Sequence, residues 1–309
     1  MMDEIDYLLK TYYTNTNPSA SVTSSHWAIR GEEQTPIYRE GKLYIQGRGG
    51  FGDFVPKNFF SSLKYNLFYR PVMKLYINKY SQNKRFINAS KLIARKNKWL
   101  HTADCVKSAL VLETILSTLK IKNFKEKNIN SVCIIGDGYG YLGTLLKLIE
   151  PDVKIFSINL GRQQLFDYYT TRNVHPEKKL LLYKDTTRSS EVEKADFIFI
   201  EAQNYQCLEN LNIDLFINIV SMQEMNNSVI QNYFKYMRNS LAKNKYFFCL
   251  NRVEKILPDG EVVSFKNYPW EDCEILLDEQ PQWYQHYLRS RPPFWMPLDG
   301  NNQMRLVRF

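Results

Sequence analysis

The chain has 309 residues and a mass of 36.6 kDa, and 44% of its residues are apolar and 24% charged. This composition is ordinary for a globular protein with a sizeable core, and it excludes a disordered or collagen-like chain. No apolar run approaches the roughly 18 residues needed to cross a bilayer. The first residues lack a basic stretch followed by an apolar one, so no secretory signal is expected. The sequence therefore predicts a cytoplasmic protein without a membrane span.

The charge balance is basic, with 41 Lys and Arg against 32 Asp and Glu and a net charge of +9. Such a balance favours anionic partners, among them anionic glycans, nucleotides, nucleic acid and anionic lipid. The cations form no run of like charge, which indicates a solvated surface spread along the chain rather than a binding arm. The five cysteines have no C-x-x-C spacing, so we expect reduced, buried thiols rather than disulfides or a zinc site.

Residues 1–120 are predicted to form a mainly helical region that also supplies a lid. Apolar residues recur at helical spacing over about 59–98, with a break near Pro71, which lacks a backbone N–H. A further amphipathic helix is expected over about 103–119. The pair His26 and Trp27 and the glycine cluster at 47–52 suggest a lid, since glycines permit hinge-like changes; an irregular loop is the alternative.

Residues 121–309 show a different pattern, in which short apolar strands alternate with helix-length segments. The predicted strands are 131–136, 154–159, 180–184, 196–200, 214–220 and 246–250. This alternation predicts an α/β fold with a mostly parallel sheet and helices on both faces. Residues 303–309 are expected to form a final edge strand with 274–277 as a weaker partner. An aromatic-rich insertion at 283–295, with Arg289 and Arg291, could clamp a glycan or pack the sheet edge.

A glycine-rich turn directly follows the first predicted strand and opens the next helix. It consists of Gly136, Asp137, Gly138, Tyr139 and Gly140. Glycine suits a tight strand-to-helix turn and lets a ligand approach the backbone closely. The helix N-terminus then offers free N–H groups and a partial positive charge. The pattern favours a nucleotide-type ligand over a mere tight connection.

The end of the next strand is the second position at which a nucleotide-type ligand is commonly bound. An acidic side chain often accepts hydrogen bonds from ribose hydroxyls there, about 20 residues after the glycines. This chain has Asn159 at that position. Its amide oxygen can accept one such bond, without the stronger contact that a charge would give.

Four short segments give the chain a family resemblance. They are Ile135–Gly140, Asn159 and Leu160 followed by a helix with Tyr168 and Tyr169, Ser221–Met225, and Leu250–Arg252. With these residues the chain resembles the class I S-adenosylmethionine-dependent methyltransferases, and among them the sugar O-methyltransferase family of bacterial surface-glycan gene clusters. The resemblance covers about residues 131–252. Its most specific part is the S-x-Q-E-M box at 221–225.

The resemblance implies a Rossmann-like methyltransferase sheet, mostly parallel with an antiparallel edge strand, and S-adenosylmethionine as cofactor. The residues implied to bind it are the five of the glycine turn with Asn159, Leu160, Ser221, Met222 and Gln223. The implied activity is O-methylation of a sugar hydroxyl in a bacterial surface glycan or its precursor. The expected partner is a carbohydrate, neutral or anionic; a homo-oligomer is compatible with the resemblance, and nucleic acid is disfavoured.

Two departures from the family pattern leave other functions open. The family has an acid where this chain has Ile134, and another where it has Asn159. Their loss could weaken cofactor binding, since each good hydrogen bond contributes about 1 kcal/mol. A non-catalytic protein that keeps the fold is therefore one alternative. An RNA methyltransferase is another, suggested by the basic charge, although no arginine-rich arm or RNA-binding aromatic signature is present.

Methyl transfer to a hydroxyl requires a base, and three residues are candidates. Glu224 is the first choice because it follows the strand 214–220, and open α/β sheets bind ligands at that end. A carboxylate that stabilises the dipole of the following helix is the alternative interpretation. His26 and His101 are the other candidates, and His101 could be oriented by Asp104 in an H-x-x-D pattern. The sequence contains no motif that predicts a metal site.

Overall fold

A computed structural model describes residues 23–33, 35–39, 42–46, 59–288 and 293–309. The leading region is mainly helical, and its described helices are α1 (Ser25–Glu33), α2 (Phe59–Lys64), α3 (Arg70–Tyr80), α4 (Lys84–Lys96) and α5 (Ala103–Leu119). A short hairpin, β1 (Thr35–Arg39) with β2 (Lys42–Gln46), follows α1. The glycine cluster at 47–52 lies outside the described residues.

The expected break near Pro71 is wrong. The chain stays helical from residue 59 to residue 80, since a π-helical segment, Tyr65–Tyr69, joins α2 to α3, and Lys64, Tyr69 and Arg70 all have right-handed helical backbone angles. Pro71 lies just after this π-helical segment, which changes the hydrogen-bond pattern locally without ending the helix. The helix ends instead at Ser81, whose backbone is extended.

Among the described residues the main sheet has eight strands: β3 (Ser131–Ile135), β4 (Lys154–Asn159), β5 (Leu180–Leu182), β6 (Phe197–Glu201), β7 (Leu215–Ile219), β8 (Tyr246–Arg252), β11 (Glu274–Glu279) and β14 (Asn302–Arg308). Their order across the sheet is β11-β14-β8-β7-β3-β4-β6-β5. The strands from β8 to β5 are parallel to their neighbours, and antiparallel pairing begins at β14. The predicted mostly parallel α/β sheet with antiparallel pairing at one edge is confirmed.

The order of the last two strands corrects one expectation. β14 lies between β8 and β11, so the strand predicted at the edge is one position inside it, and β11 is the outermost strand. Burial explains the difference. Leu306 and Val307 on the two faces of β14 are fully buried, whereas β11 is largely exposed.

Helices cover both faces of the sheet. Those that follow the sheet strands are α6 (Tyr141–Ile149), α7 (Gln164–Val174), α8 (Ser189–Lys194) and α9 (Asn227–Asn239). Short 3₁₀ segments include Gly161–Gln163, Ala202–Asn210, Met222–Glu224 and Gln282–Tyr284. Two small hairpins pair β9 (Glu254–Ile256) with β10 (Val262–Ser264), and β12 (His286–Leu288) with β13 (Trp295–Pro297).

Two apolar cores follow from strand alternation, because successive side chains of a strand point to opposite faces. In β3, Val132 and Ile134 enter the core shared with α3 to α7, whereas Cys133 and Ile135 enter the core beneath α9. Strand β8 shows the same alternation, with Phe248 in the first core and Phe247 in the second. The sheet is therefore covered on both faces.

All five cysteines are free thiols in the structure, and four of them are buried as the sequence predicts. Cys105, Cys133, Cys207 and Cys249 are buried free thiols, and Cys273 is a partly exposed one. Among the described residues, no helix has both the length and the apolar character that a membrane crossing requires.

Candidate functional site

The glycine turn after β3 adopts a backbone that other residues rarely tolerate. Gly136, Gly138 and Gly140 have φ angles of 77°, 75° and 66°. A Cβ on Gly136 would lie 2.1 Å from Ser221 Oγ, and one on Gly140 would lie 2.5 Å from Asp167 Cα. The turn therefore needs glycine both for its left-handed conformation and for the close approach of β7 and α7.

A cleft of about 580 Å³ opens at the carboxyl ends of the parallel strands, beside this turn. Its size lies within the roughly 300–1,000 Å³ of small-molecule sites. Eight of the predicted site residues line it: His26, Gly136, Asp137, Gly138, Asn159, Ser221, Gln223 and Glu224. The structure thus brings together residues from α1, the glycine turn, β4 and the segment after β7.

Four predicted cofactor residues do not line this cleft, and packing accounts for each. Met222 is fully buried, and Leu160 packs against the core beneath α9. Tyr139 is buried with its ring 4.9 Å from that of Phe166. The backbone of α7 packs directly against Gly140. These residues shape the walls behind the cleft.

His101 lies apart from the other two candidate bases. Its Nε2 is 2.9 Å from Ser90 Oγ, and it lines a second cavity of about 630 Å³ between α4 and the Tyr65–Tyr69 segment. Burial lowers the pKa of His101 to about 3, so its imidazole is neutral. Asp104, its predicted orienting partner, instead contacts Lys107 at 3.3 Å.

A chain of buried amide side chains fixes the segment after β7. Asn218 donates to the Ile135 carbonyl at 2.7 Å, and its Oδ1 accepts from Met222 N at 3.1 Å and from Asn251 Nδ2 at 2.8 Å. Asn251 Oδ1 accepts from Gln223 N at 3.0 Å. Asn218 and Asn251 are fully buried, so these bonds join the ends of β3, β7 and β8 in a low-dielectric setting.

The same segment contains a strained residue. Val220 has a φ of 47°, a left-handed conformation that is costly for a β-branched side chain. Its N–H donates to the Leu250 carbonyl at 2.7 Å, and Gln223 Oε1 accepts from Arg252 N at 2.7 Å. These bonds hold a sharp bend that turns the chain from β7 into the cleft.

Two buried carboxyl groups stand behind the glycine turn. Asp137 accepts from Leu142 N at 2.9 Å and Gly143 N at 2.8 Å, which caps α6, and burial raises the pKa of Asp137 to about 6. Asp167 accepts from Ser157 Oγ at 2.7 Å and from Asn159 Nδ2. Burial, followed by the charge of Asp137, raises the pKa of Asp167 well above its usual value.

Asp167 was not singled out by the sequence, yet it determines how Asn159 is oriented. The Asn159 amide hydrogens point to Asp167, and its Oδ1 accepts from Leu160 N at 3.0 Å. One lone pair of that oxygen remains for a ligand. The signal that could have revealed Asp167 is an acid in the first turn of a helix, between the buried residues Phe166 and Tyr168.

Glu224 and His26 meet at the mouth of the cleft. His26 Nε2 lies 3.4 Å from Glu224 Oε1, and Lys255 Nζ lies 2.8 Å from the same oxygen. The side chains of His26 and Glu224 are 16% and 19% exposed, so a small ligand can reach them although bulk water is largely excluded. Ser24 donates from its hydroxyl to the Glu224 carbonyl, which fastens the start of α1 to this segment.

Other charges of the cleft are also paired. Lys107 contacts Asp104 and lies 4.4 Å from the ring centre of Tyr284, and Arg252 contacts Asp299 at 3.4 Å. Tyr284 belongs to the aromatic-rich insertion and lines the cleft, whereas Arg289 and Arg291 lie outside the described residues. In the described part of the chain no group of three His, Cys, Asp or Glu side chains could hold a metal ion.

Comparisons with known proteins show similarity of fold alone. No model of a protein family matches the sequence, and no curated protein matches it. Magnesium protoporphyrin IX methyltransferase from Synechocystis PCC 6803, solved with bound SAH, is 11% identical, with a TM-score of 0.41 over 65% of this chain and 82% of that one.

Two further solved structures are similar at the same low level. The methyltransferase domain of bacterial CtHen1 is 12% identical, with a TM-score of 0.38 over 64% of this chain and 97% of that one. TehB from Haemophilus influenzae is 12% identical, with a TM-score of 0.40 over 60% of this chain and 59% of that one.

Proposed function

We propose that this protein is an S-adenosylmethionine-dependent O-methyltransferase that methylates a hydroxyl of a sugar. The observation that carries the proposal is the cleft itself, in which the glycine turn faces the pair formed by His26 and Glu224. The cleft therefore offers adjacent positions for a nucleoside cofactor and a catalytic base at the carboxyl ends of parallel strands, where open α/β sheets bind ligands.

The residues of the cleft suit S-adenosylmethionine. Gly136 and Gly138 leave the backbone accessible, and Asn159 Oδ1 can accept a bond from a ribose hydroxyl. Asp167 holds Asn159 in that orientation and so compensates in part for the acid that the family has at this position. Asp137 places a carboxyl group beside the turn, where the cofactor's amino group would be bound.

When bound, S-adenosylmethionine supplies a methyl group on a sulfonium, which an oxygen nucleophile accepts. His26 would take the hydroxyl proton, and the Glu224 carboxylate would stabilise the resulting imidazolium. Lys255 holds the carboxylate in place. General-base assistance of this kind typically contributes about 10²–10⁴-fold to the rate.

The paired charges of the cleft favour a neutral, hydroxyl-bearing acceptor over RNA. Lys107 is matched by Asp104, Lys255 by Glu224 and Arg252 by Asp299. Such pairing leaves little net positive potential to hold a polyanion. Trp27 and Tyr284 add aromatic faces on which a sugar ring can pack.

The test is a methyl-transfer assay with radiolabelled S-adenosylmethionine and a panel of nucleotide-linked sugars, with total RNA as a competing acceptor. We expect label in a sugar, found as an O-methyl ether by mass spectrometry. His26→Ala and Glu224→Gln should each lower kcat by about 10²–10⁴-fold, and the double variant should lose little more because the residues act as a unit.

The control variant is Glu261→Gln. This carboxylate accepts hydrogen bonds from Asn226 and Asn227 and does not belong to the His26–Glu224 pair. It should keep its kcat, and all variants should bind S-adenosylhomocysteine equally. Methylation of RNA but of no sugar would contradict the proposed acceptor. Full activity in His26→Ala would contradict the proposed base, and S-adenosylhomocysteine binding without any transfer would favour the non-catalytic alternative.

A further inference from the structure

The positive charge of the chain is concentrated in one helical unit, residues 59–103, which includes α2, α3 and α4. This interval has ten Lys and Arg and no Asp or Glu, and it leaves 31 Lys and Arg against 32 Asp and Glu in the remainder. The expectation of charge spread along the chain is therefore wrong. Apolar residues separate the cations in sequence, so the concentration becomes visible only when the helices are considered together.

All ten of these cations are exposed. They are Lys64, Arg70, Lys74, Lys79, Lys84, Arg85, Lys91, Arg95, Lys96 and Lys98. None of them forms a salt bridge with a carboxylate of the described residues. The unit therefore presents a surface of one sign to the solvent.

The same unit exposes large apolar side chains. Six of the thirteen large apolar residues that the described chain exposes fall between positions 59 and 75: Phe59, Phe60, Leu63, Leu67, Phe68 and Leu75. Phe60 is 80% exposed and Leu75 is 70% exposed. The opposite side of these helices buries Tyr69, Met73 and Tyr76 in the core, so the helices are apolar on both sides.

We propose that this face, the basic apolar face of residues 59–79, docks on an anionic lipid surface. Apolar side chains that enter the interface, surrounded by Lys and Arg that meet the headgroups, characterise helices that lie in the plane of a membrane. A second copy of the chain fits poorly, because two faces of the same charge would repel. RNA bases could stack on the exposed rings of Phe59, Phe60 and Phe68, so RNA binding is measured as a competing outcome of the test. The equally exposed Leu63, Leu67 and Leu75 favour the lipid surface, because an aliphatic side chain adds apolar area but no stacking surface.

The inference does not rest on the proposed function, because it uses none of the residues of the cleft. Its test is co-sedimentation of the full chain with phosphatidylcholine vesicles, with and without phosphatidylglycerol. We expect binding to the anionic vesicles only, and a steep decrease with added salt. Binding to single-stranded RNA and the molecular mass in solution are measured in parallel.

Two variants separate the two contributions to docking. Lys64→Gln with Lys74→Gln should weaken the partition by about fivefold for each cation removed. Leu67→Ser with Phe68→Ser should weaken it by about tenfold or more, since binding scales with buried apolar area. Because these side chains are exposed, both variants should unfold at the temperature of the wild type.

The matched control is Leu241→Ser with Lys243→Gln, which removes an equally exposed leucine and a neighbouring exposed lysine outside the face. It should bind vesicles as the wild type does. The proposal is overturned if no vesicles are bound, if neutral vesicles are bound equally well, or if the control weakens binding as much as the two variants. It is likewise overturned if the variants abolish a dimer or RNA binding while vesicles are never bound.

Discussion

Replacement of Gly136 by alanine tests whether the glycine turn is shaped by its neighbour after β7. The substitution forces alanine into a φ of 77°, which costs about 1–2 kcal/mol. The new Cβ would also lie 2.1 Å from Ser221 Oγ and 2.5 Å from Ser221 Cβ, and overpacking of this kind typically costs a further 1–3 kcal/mol. We therefore expect Gly136→Ala to lower the free energy of unfolding by about 2–5 kcal/mol.

The two contributions can be separated by adding Ser221→Gly, which removes both clashing atoms and leaves the φ angle unchanged. In that background Gly136→Ala should cost only about 1–2 kcal/mol, so the coupling between the sites should be about 1–3 kcal/mol. Urea denaturation of the four proteins of the cycle, followed by circular dichroism, measures it.

Gly260 provides the control for this cycle. It has a φ of 90° and no atom within 4 Å of its would-be Cβ. Gly260→Ala should therefore cost only the backbone contribution, equally with and without Ser221→Gly. The account of the turn would be refuted if Gly136→Ala cost the same in both backgrounds, because the clash with Ser221 would then contribute nothing.

Two further predictions concern buried polar groups. Asn251→Ala leaves Gln223 N without its partner and removes one of the two hydrogen bonds that Asn218 Oδ1 accepts, so it should destabilise the fold by about 2–4 kcal/mol in urea denaturation. The control, Ala at the exposed Asn239, should cost under about 1 kcal/mol, and equal losses would contradict the role of the amide chain. Because the native pKa of Asp137 is raised to about 6, the native state binds more protons than the unfolded state, and stability contributed by this group falls as pH rises from about 4 to about 6. Asp137→Asn removes this pH dependence. The free energy of unfolding of the variant, relative to that of the wild type, should therefore rise by about 2 kcal/mol between about pH 4.5 and pH 7.5. A difference between the two proteins that does not change with pH would contradict the raised pKa of this carboxyl.

The fold and the glycine turn could be predicted because each depends on local rules. Strand and helix lengths follow from apolar spacing, and the positions of Gly136 and Gly138 follow from the backbone that a strand-to-helix turn requires. The position of β14 between β8 and β11 could not be predicted from sequence. It depends on the pairing of β11 with β14, and no local property of residues 302–308 indicates that pairing.

The candidate site was predictable in its parts but not in its assembly. Ser24, which fastens α1, and Glu224 are 200 positions apart, and only the folded chain shows that His26 reaches the carboxylate beside Lys255. From sequence, His101 was a candidate on the same grounds as His26, since the burial that neutralises it depends on α4. Asp167 carried no motif, and its role depends on its contact with Asn159.

The most direct test of the central claim is a calorimetric titration of the wild-type chain with S-adenosylhomocysteine. We expect one molecule bound per chain, and no binding to a Gly138→Arg variant whose circular dichroism shows it to be folded, because its side chain would enter the cleft. An absence of binding to the wild type at millimolar ligand, or equal binding to the folded variant, would contradict a cofactor site at the glycine turn.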